Sequence, residues 1–279
     1  MSGRLREMMT NLRKDPLLFS MGMLGIVLGA GLILFVAVRG SYLVEPEGHL
    51  RKAVTFDLAL GILVLTMVLM ERAAPMSKNG RRAWAGSLAG LVLYAYGMEN
   101  IQILRGIDPR FTEVGSATDQ ILGGVFFLSA LLIMVCFIVL AVRFFRRPTE
   151  GPDGPLLIAL RYGSIACIIG FGVGIVISAN SSASMGEAGN WLPLHALGFH
   201  GVQAVPLVAL MLGWAGAETQ VQRNAVHISG AAWLTVCIAV GAQTLGGRSA
   251  LEISIAMIVA VAAFVVWGAA FTRAALEAV

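Results

Sequence analysis

Long apolar runs follow one another along almost the whole of this chain, with only short polar segments between them. A helix needs about 20 apolar residues to cross the roughly 30 Å of hydrocarbon in a bilayer. The runs that predict transmembrane helices cover residues 17–39, 54–74, 83–104, 119–143, 156–180, 192–214, 226–246 and 251–276. The sequence therefore predicts an all-α, polytopic membrane protein with about eight transmembrane helices in one bundle, forming a single transmembrane domain over residues 1–279.

Charged residues are too few for a soluble protein of this length. They make up 13% of the chain, while hydrophobic residues make up 57%. A typical soluble domain carries about 25% charged residues. Most of the surface must therefore face lipid, which excludes a soluble enzyme and makes the lipid bilayer the first predicted partner.

The basic residues lie in short groups beside the apolar runs. Cytoplasmic loops of membrane proteins carry an excess of Lys and Arg, so these groups predict topology, and no nucleic-acid partner is expected. With the N-terminus inside, thirteen basic residues fall on the inner side: Arg4, Arg6, Arg13, Lys14, Arg72, Lys78, Arg81, Arg82, Arg143, Arg146, Arg147, Arg223 and Arg273. Six fall on the outer side: Arg39, Arg51, Lys52, Arg105, Arg110 and Arg248. This bias predicts that both termini are cytoplasmic.

Glycine residues inside the runs predict close helix packing. The pair Gly25-x-x-x-Gly29 in the first run has the spacing that lets two helix backbones approach each other. No repeat between the two halves of the chain is recognisable from the sequence. An inverted-repeat transporter therefore has no support at this level.

Polar residues within the apolar runs are concentrated in the half that the charge bias places outside. Such residues are costly in hydrocarbon, so each is a candidate for a functional site. Asp57 lies in the second run, Glu99 and Gln102 near the outer end of the third. The sixth run adds His195, His200 and Gln203. This convergence predicts a polar pocket in the outer leaflet.

The sixth run is the most polar of these segments. At about 100° per residue, His200 and Gln203 lie about 60° apart on one face, and His195 lies about 140° from His200. On a regular helix the two imidazoles therefore could not chelate one metal ion. A bend permitted by Gly198, Gly201 and Pro206 could still direct both side chains towards one pocket.

The string His195-x-x-Gly198-x-His200-x-x-Gln203-x-x-Pro206 resembles a stretch found in uncharacterised multi-helix membrane proteins of bacteria. The resemblance covers about a dozen residues. It implies a bacterial inner-membrane protein and no particular activity.

We interpret the polar layer as a pocket that binds a metal, a haem or a small ligand. Imidazole and carboxylate groups suit haem iron and transition metals, so His195, His200 and Asp57 are the candidate metal ligands. Glu99, Gln102 and Gln203 are the candidate cofactor-binding residues. The identity of any cofactor, haem or transition metal, stays open, as does whether the protein is an enzyme.

Several alternatives compete with this interpretation. A bis-histidine haem takes its ligands from two helices, but only one predicted helix carries embedded histidines, so a homo-oligomer or another ligand would be needed. A zinc hydrolase is disfavoured because the histidines are not spaced as His-x-x-x-His. A retinal protein is disfavoured because no Lys lies within a predicted span. A small-molecule or lipid transporter, and a structural subunit of a larger membrane complex, both stay open.

Overall fold

The computed structural model describes residue 10, residues 12–151 and residues 153–278. Within these residues the chain is built of long α-helices with two short β-hairpins. The helices are α1 (Pro16–Arg39), α2 (Leu50–Glu71), α3 (Lys78–Leu104), α4 (Ala117–Arg146), α5 (Gly154–Ala179), α6 (Leu192–Ala215), α7 (Thr219–Leu245) and α8 (Ile255–Glu277). The strands are β1 (Leu43–Val44), β2 (Gly48–His49), β3 (Ser184–Met185) and β4 (Gly189–Asn190).

The prediction of an all-α polytopic membrane protein is confirmed. Each of the eight predicted spans coincides with one helix, and most boundaries agree within a few residues. Among the described residues, seven helices are long and apolar enough to cross a membrane, and α3 is outside that set. The reason is composition, because α3 begins with basic residues and carries Glu99, Asn100 and Gln102 near its end.

Four helices, α2, α3, α7 and α8, start at least four residues from the predicted position, and one of these differences matters for function. Helix α2 begins at Leu50, directly after strand β2, where the sequence predicted a start at 54. Asp57 therefore lies seven residues along the helix, about 10 Å from its start. It is fully buried.

The described chain forms two compact units, with the boundary inside α4 at residues 140 and 141. The first unit contains α1, β1, β2, α2, α3 and most of α4; the second contains the rest of α4, α5, β3, β4, α6, α7 and α8. That the whole chain acts as one transmembrane domain stays a prediction. So do the inner membrane and the cytoplasmic termini, and Arg4 and Arg6, counted for that topology, lie outside the described residues.

In the first unit, α1 packs closely on α2 and α3. A Cβ atom at Gly25 would collide with the Tyr96 hydroxyl and lie 2.6 Å from the Asp57 carbonyl oxygen. A Cβ at Gly29 would lie 2.7 Å from the side chain of Leu58. The prediction of close packing from the Gly25-x-x-x-Gly29 pair is confirmed.

The second unit repeats the pattern of the first. Each has a helix, a β-hairpin, two further helices, a short loop and a last helix. Identical residues stand 141 positions apart in equivalent places: Gly22 and Gly163, Gly29 and Gly170, Gly48 and Gly189, Gln102 and Gln243, Leu104 and Leu245, Gly106 and Gly247.

Main-chain hydrogen bonds follow the same offset. The N–H of Leu50 donates to Tyr42 at 2.8 Å, and that of Trp191 donates to Ala183 at 2.8 Å. The two halves of the chain therefore share a structural repeat, and the prediction that there is none is wrong. Few positions are identical between the units, and most of the others need only be apolar, so the similarity is hidden in the sequence.

Candidate functional site

Two buried carboxylates lie on facing helices of the first unit, near the ends that adjoin the β1–β2 hairpin. Asp57 on α2 and Glu99 on α3 both have no solvent-exposed surface. The Asn100 side-chain amide donates to both carboxylate oxygens of Asp57, at 3.1 and 3.0 Å, and to the Tyr96 carbonyl at 2.9 Å. Asn100 therefore fixes the Asp57 carboxylate against α3.

A guanidinium from a loop reaches Glu99. Nη2 of Arg110, in the loop between α3 and α4, lies 2.7 Å from Oε2 of Glu99. The guanidinium carbon lies 5.3 Å from the centre of the Phe56 ring and 5.6 Å from that of Phe126. These two rings meet edge to face with centres 5.6 Å apart, so the cation is held by one carboxylate and two aromatic faces.

Two polar atoms of this cluster have neither a hydrogen-bond nor an ion-pair partner. One is Oε1 of Glu99 and the other is the hydroxyl of Tyr96, and both are buried. Buried polar atoms are satisfied in the great majority of cases, so two together in one cluster need an explanation. Tyr94, two residues away, is satisfied because its hydroxyl donates to the Leu122 carbonyl at 3.1 Å.

The cluster contains two carboxyl groups but one guanidinium. Asp57 and Glu99 contribute the two carboxyl groups, and Arg110 is the cation that contacts Glu99. The neighbouring charges pair among themselves: Lys52 Nζ lies 2.5 Å from Asp108 Oδ2, and Arg105 Nη1 lies 2.7 Å from Asp119 Oδ1. One carboxylate of the cluster therefore lacks a cationic partner. We call Asp57, Tyr96, Glu99, Asn100 and Arg110 the carboxylate cluster.

Gln102, a predicted cofactor-binding residue, bonds to the loop instead. Its amide nitrogen donates to Asp119 Oδ1 at 3.0 Å, and its amide oxygen accepts from Arg105 Nη1 at 2.5 Å. Gln243, the equivalent residue of the second unit, also bonds to the loop before the last helix, donating to the Ser249 carbonyl at 2.8 Å. A shared structural role accounts for both residues, and a ligand contact at Gln102 stays a prediction.

The loop that carries Arg110 is anchored by Glu47 at the tip of the β1–β2 hairpin. Its carboxylate accepts hydrogen bonds from the Thr112 hydroxyl at 2.7 Å and from the N–H of Glu113 at 2.7 Å. The Thr112 hydroxyl, with the nearby main-chain N–H groups, lowers the pKa of Glu47 below its usual value. The ionised carboxylate therefore holds the loop in place.

Asp108 strengthens the same anchor. Burial acts to raise the pKa of this carboxyl, but the hydrogen bond from Lys52 and those from the N–H groups of Arg110 and Phe111 outweigh burial and lower it. The N–H of Arg110 donates to Asp108 Oδ1 at 2.8 Å. The main chain of Arg110 is thus fixed while its side chain extends to Glu99.

The predicted metal ligands on α6 belong to the second unit. His195 is partly buried, His200 is exposed and Gln203 is partly buried. Nδ1 of His195 lies 2.8 Å from the Gly170 carbonyl, and its ring meets Phe199 edge to face. In the part of the chain that the structure describes, no group of three or more His, Cys, Asp and Glu residues could hold a metal ion.

The structure therefore brings together only some of the predicted site residues. Asp57 and Glu99 meet in the first unit, whereas the two histidines and Gln203 lie in the second. That all of them line one pocket stays a prediction.

The sequence did not single out Arg110, Asn100, Phe56 or Phe126. Arg110 lies in a loop, where no periodicity marks it, and the two phenylalanines look like ordinary residues of an apolar run. One signal was available, because Asn100 follows Glu99 in a stretch that is unusually polar for a membrane helix.

The repeat separates scaffold positions from these functional candidates. The positions equivalent to Asp57, Tyr96, Glu99 and Asn100 are Gly198, Cys237, Val240 and Gly241. The position equivalent to His195 is Val54. The scaffold recurs in both units while the polar cluster occurs in one, so the cluster is not needed to build the four-helix unit.

Comparison with known proteins adds no assignment, since no protein-family model, curated protein or solved structure matches this chain.

Proposed function

We propose that this protein binds a small ligand within the membrane through the carboxylates of Asp57 and Glu99, as a binding protein or a transporter for that ligand. One observation carries the proposal: of two fully buried carboxylates, Glu99 pairs with the Arg110 guanidinium, whereas Asp57 meets only the neutral Asn100 amide. An unpaired charge in a low-dielectric interior is costly. Ionisable groups that persist within a membrane typically mark the path of a substrate, an ion or a proton.

A purely structural role for these carboxylates explains less. The protein has a buried structural pair for comparison, in which Arg81 Nε lies 2.5 Å from Glu71 Oε1 at the opposite end of α2. There one carboxylate meets one guanidinium. In the carboxylate cluster the second carboxylate has only the neutral Asn100 as its partner, and two further polar atoms have none.

The test is a ligand screen by thermal unfolding of the purified protein in lipid nanodiscs. The panel contains inorganic cations, inorganic anions, amines, guanidines and fatty acids. A ligand that binds the folded state raises the melting temperature by mass action. We expect Asp57→Asn and Glu99→Gln to abolish the shift given by the ligand.

Glu71→Gln is the matched control for this screen, because it neutralises a buried carboxylate outside the cluster. It should leave the shift intact. A shift that survives both Asp57→Asn and Glu99→Gln, or that Glu71→Gln also abolishes, would contradict the proposal.

A metal or haem at His195 is a second candidate, supported by the orientation of its ring. The Gly170 carbonyl can only accept a hydrogen bond, so Nδ1 of His195 must carry the proton. Metal-binding histidines are commonly oriented by such a bond. In addition, a Cβ at Gly174 would lie 2.9 Å from the ring, so this glycine gives the imidazole its space.

An optical spectrum and elemental analysis of one purified sample test this second candidate. A haem absorption band or a stoichiometric metal that His195→Ala removes would support it. A band or metal that persists in both His195→Ala and His200→Ala would exclude these histidines as its ligands.

A further inference from the structure

The cation in the carboxylate cluster comes from a long, partly exposed side chain on an anchored piece of main chain. Arg110 lies in the loop between α3 and α4, and 28% of its side chain is exposed. Its main-chain N–H is bound by Asp108, and the loop around it is bound by Glu47. Leaving Glu99 would therefore require rotation of the side chain and no displacement of the loop.

The surroundings of this guanidinium suit an organic cation better than a metal ion. The faces of Phe56 and Phe126 attract cations through the quadrupole of each ring. A planar guanidinium also matches the two oxygens of a carboxylate with two parallel N–H bonds. Arg110 uses Oε2 of Glu99, and Oε1 has no hydrogen-bond partner.

The cluster offers further polar contacts beyond those that Arg110 makes. Tyr96 is 2% exposed, and its hydroxyl has no hydrogen-bond partner. Asp57 adds a second carboxylate, whose charge is met only by the Asn100 amide. A cationic ligand with several N–H donors could satisfy these acceptors, whereas an anion would meet repulsion from both carboxylates.

We propose that Glu99, Asp57, Phe56 and Phe126 form a binding site for a small guanidinium-type monocation, whose place the Arg110 side chain occupies in this structure. This inference rests on the proposed function and names the ligand class of the same site. When the ligand replaces the Arg110 guanidinium, the charge of the site does not change, because Glu99 faces one cation before and after the exchange. The costly state, a buried carboxylate without a partner, is avoided throughout.

The experiment measures binding of methylguanidinium, at up to 10 mM, to the full-length protein in nanodiscs. Wild-type protein should bind it, and Glu99→Gln should abolish that binding. Arg110→Ala removes the competing side chain, so the affinity should rise about tenfold if Arg110 fills the site about nine-tenths of the time. Arg110→Gln provides the same measurement should the alanine variant not fold.

A second readout is chemical rescue of stability. Arg110→Ala should melt at a lower temperature than the wild type, and methylguanidinium should restore part of the loss where sodium chloride at equal ionic strength does not. Arg81→Ala is the matched control, because Arg81 also pairs with a buried carboxylate. Among the described residues, no aromatic ring lies over its guanidinium, and methylguanidinium should not restore its stability.

The outcomes separate this inference from the proposed function. Equal rescue of Arg110→Ala and Arg81→Ala, or equal rescue by sodium chloride, would overturn the inference. A ligand of another class that depends on Asp57 and Glu99, with no binding of methylguanidinium, would leave the proposed function standing and the inference wrong. If neither carboxylate affects the binding of methylguanidinium or of any panel compound, both are wrong.

Discussion

The main-chain N–H of Glu47 donates a 2.8 Å hydrogen bond to the carbonyl of Gly106, which closes the tip of the first hairpin onto the end of α3. The same bond recurs in the second unit, from Ala188 to Gly247 at 2.9 Å. Both glycines adopt positive φ angles, +78° at Gly106 and +69° at Gly247. The turn after the third helix of each unit therefore positions the hairpin above it.

The two glycines should differ in their tolerance of a side chain. Gly106→Ala forces alanine into the left-handed backbone region, which costs about 1–2 kcal/mol of stability. The alanine Cβ would also collide with the Glu45 carbonyl oxygen. Gly247→Ala carries only the first cost, since its Cβ would meet ordinary contacts beginning at 3.4 Å. We expect losses of about 3 kcal/mol or more and about 1 kcal/mol, respectively, measured by unfolding in one detergent.

Gly90→Ala is the control for these substitutions. A Cβ at Gly90 would meet nothing within 4 Å, and alanine favours a helix over glycine by up to about 1 kcal/mol. The variant should be as stable as the wild type or more so. Equal losses at Gly106 and Gly247 would contradict the role of the Glu45 collision.

The helices could be predicted from the sequence, whereas the repeat and most of the carboxylate cluster could not. A helix that crosses lipid must be apolar over a set length, and that demand is visible in each run. Identical residues occupy only a scattered minority of equivalent positions in the two units, too few for the repeat to stand out. Asp57 and Glu99 stood out because charge is rare in such helices, but their partner Arg110 depends on how a loop folds back.

Removing Arg110 should destabilise the protein more than removing Glu99. Arg110→Ala leaves the buried Glu99 carboxylate unpaired, which typically costs about 3–5 kcal/mol. Glu99→Gln leaves Arg110, which is partly exposed, free to turn towards water. Unfolding of the two single variants and the double variant forms a double-mutant cycle.

The double variant should recover much of the stability that Arg110→Ala loses, because the carboxylate that needed a partner is gone. A loss in the double variant equal to the sum of the single losses would show that the two side chains do not interact.

The anchor at Glu47 should make the stability of the first unit sensitive to acid. Since the folded state lowers the pKa of Glu47, its contribution is present above the unfolded pKa, near 4.3, and is lost as pH falls through the folded value. Glu47→Gln should lower stability at pH 7 and weaken the acid dependence below about pH 4. Thermal unfolding between pH 3 and pH 7 measures this.

Glu45→Gln is the matched control, because Glu45 lies two residues away on the same hairpin and is exposed. It should leave the acid dependence of the wild type unchanged. Identical pH profiles for the wild type and Glu47→Gln would show that the carboxylate does not hold the loop.

The repeat makes a prediction about topology. Gly48 in β2, directly before α2, packs against Ile103 near the end of α3. Helix α3 therefore runs back along α2, and we expect it to cross the membrane too, although its composition is more polar. Four crossings in each unit return the chain to the side on which it began. With the N-terminus inside, as the charge bias predicts, both hairpins should face the outside, and the segments before α3 and α7 should face the cytoplasm.

Single introduced cysteines measure this directly, because the native Cys136, Cys167 and Cys237 are all buried. Glu45→Cys and Glu187→Cys, one on each hairpin, should react with a membrane-impermeant maleimide in intact cells. Ser77→Cys and Glu218→Cys, 141 positions apart before α3 and α7, should react only after the cells are permeabilised. If the two hairpins were labelled from opposite sides, an odd number of helices would cross between them. Helix α3, the most polar, would then be the best candidate for a helix that does not cross.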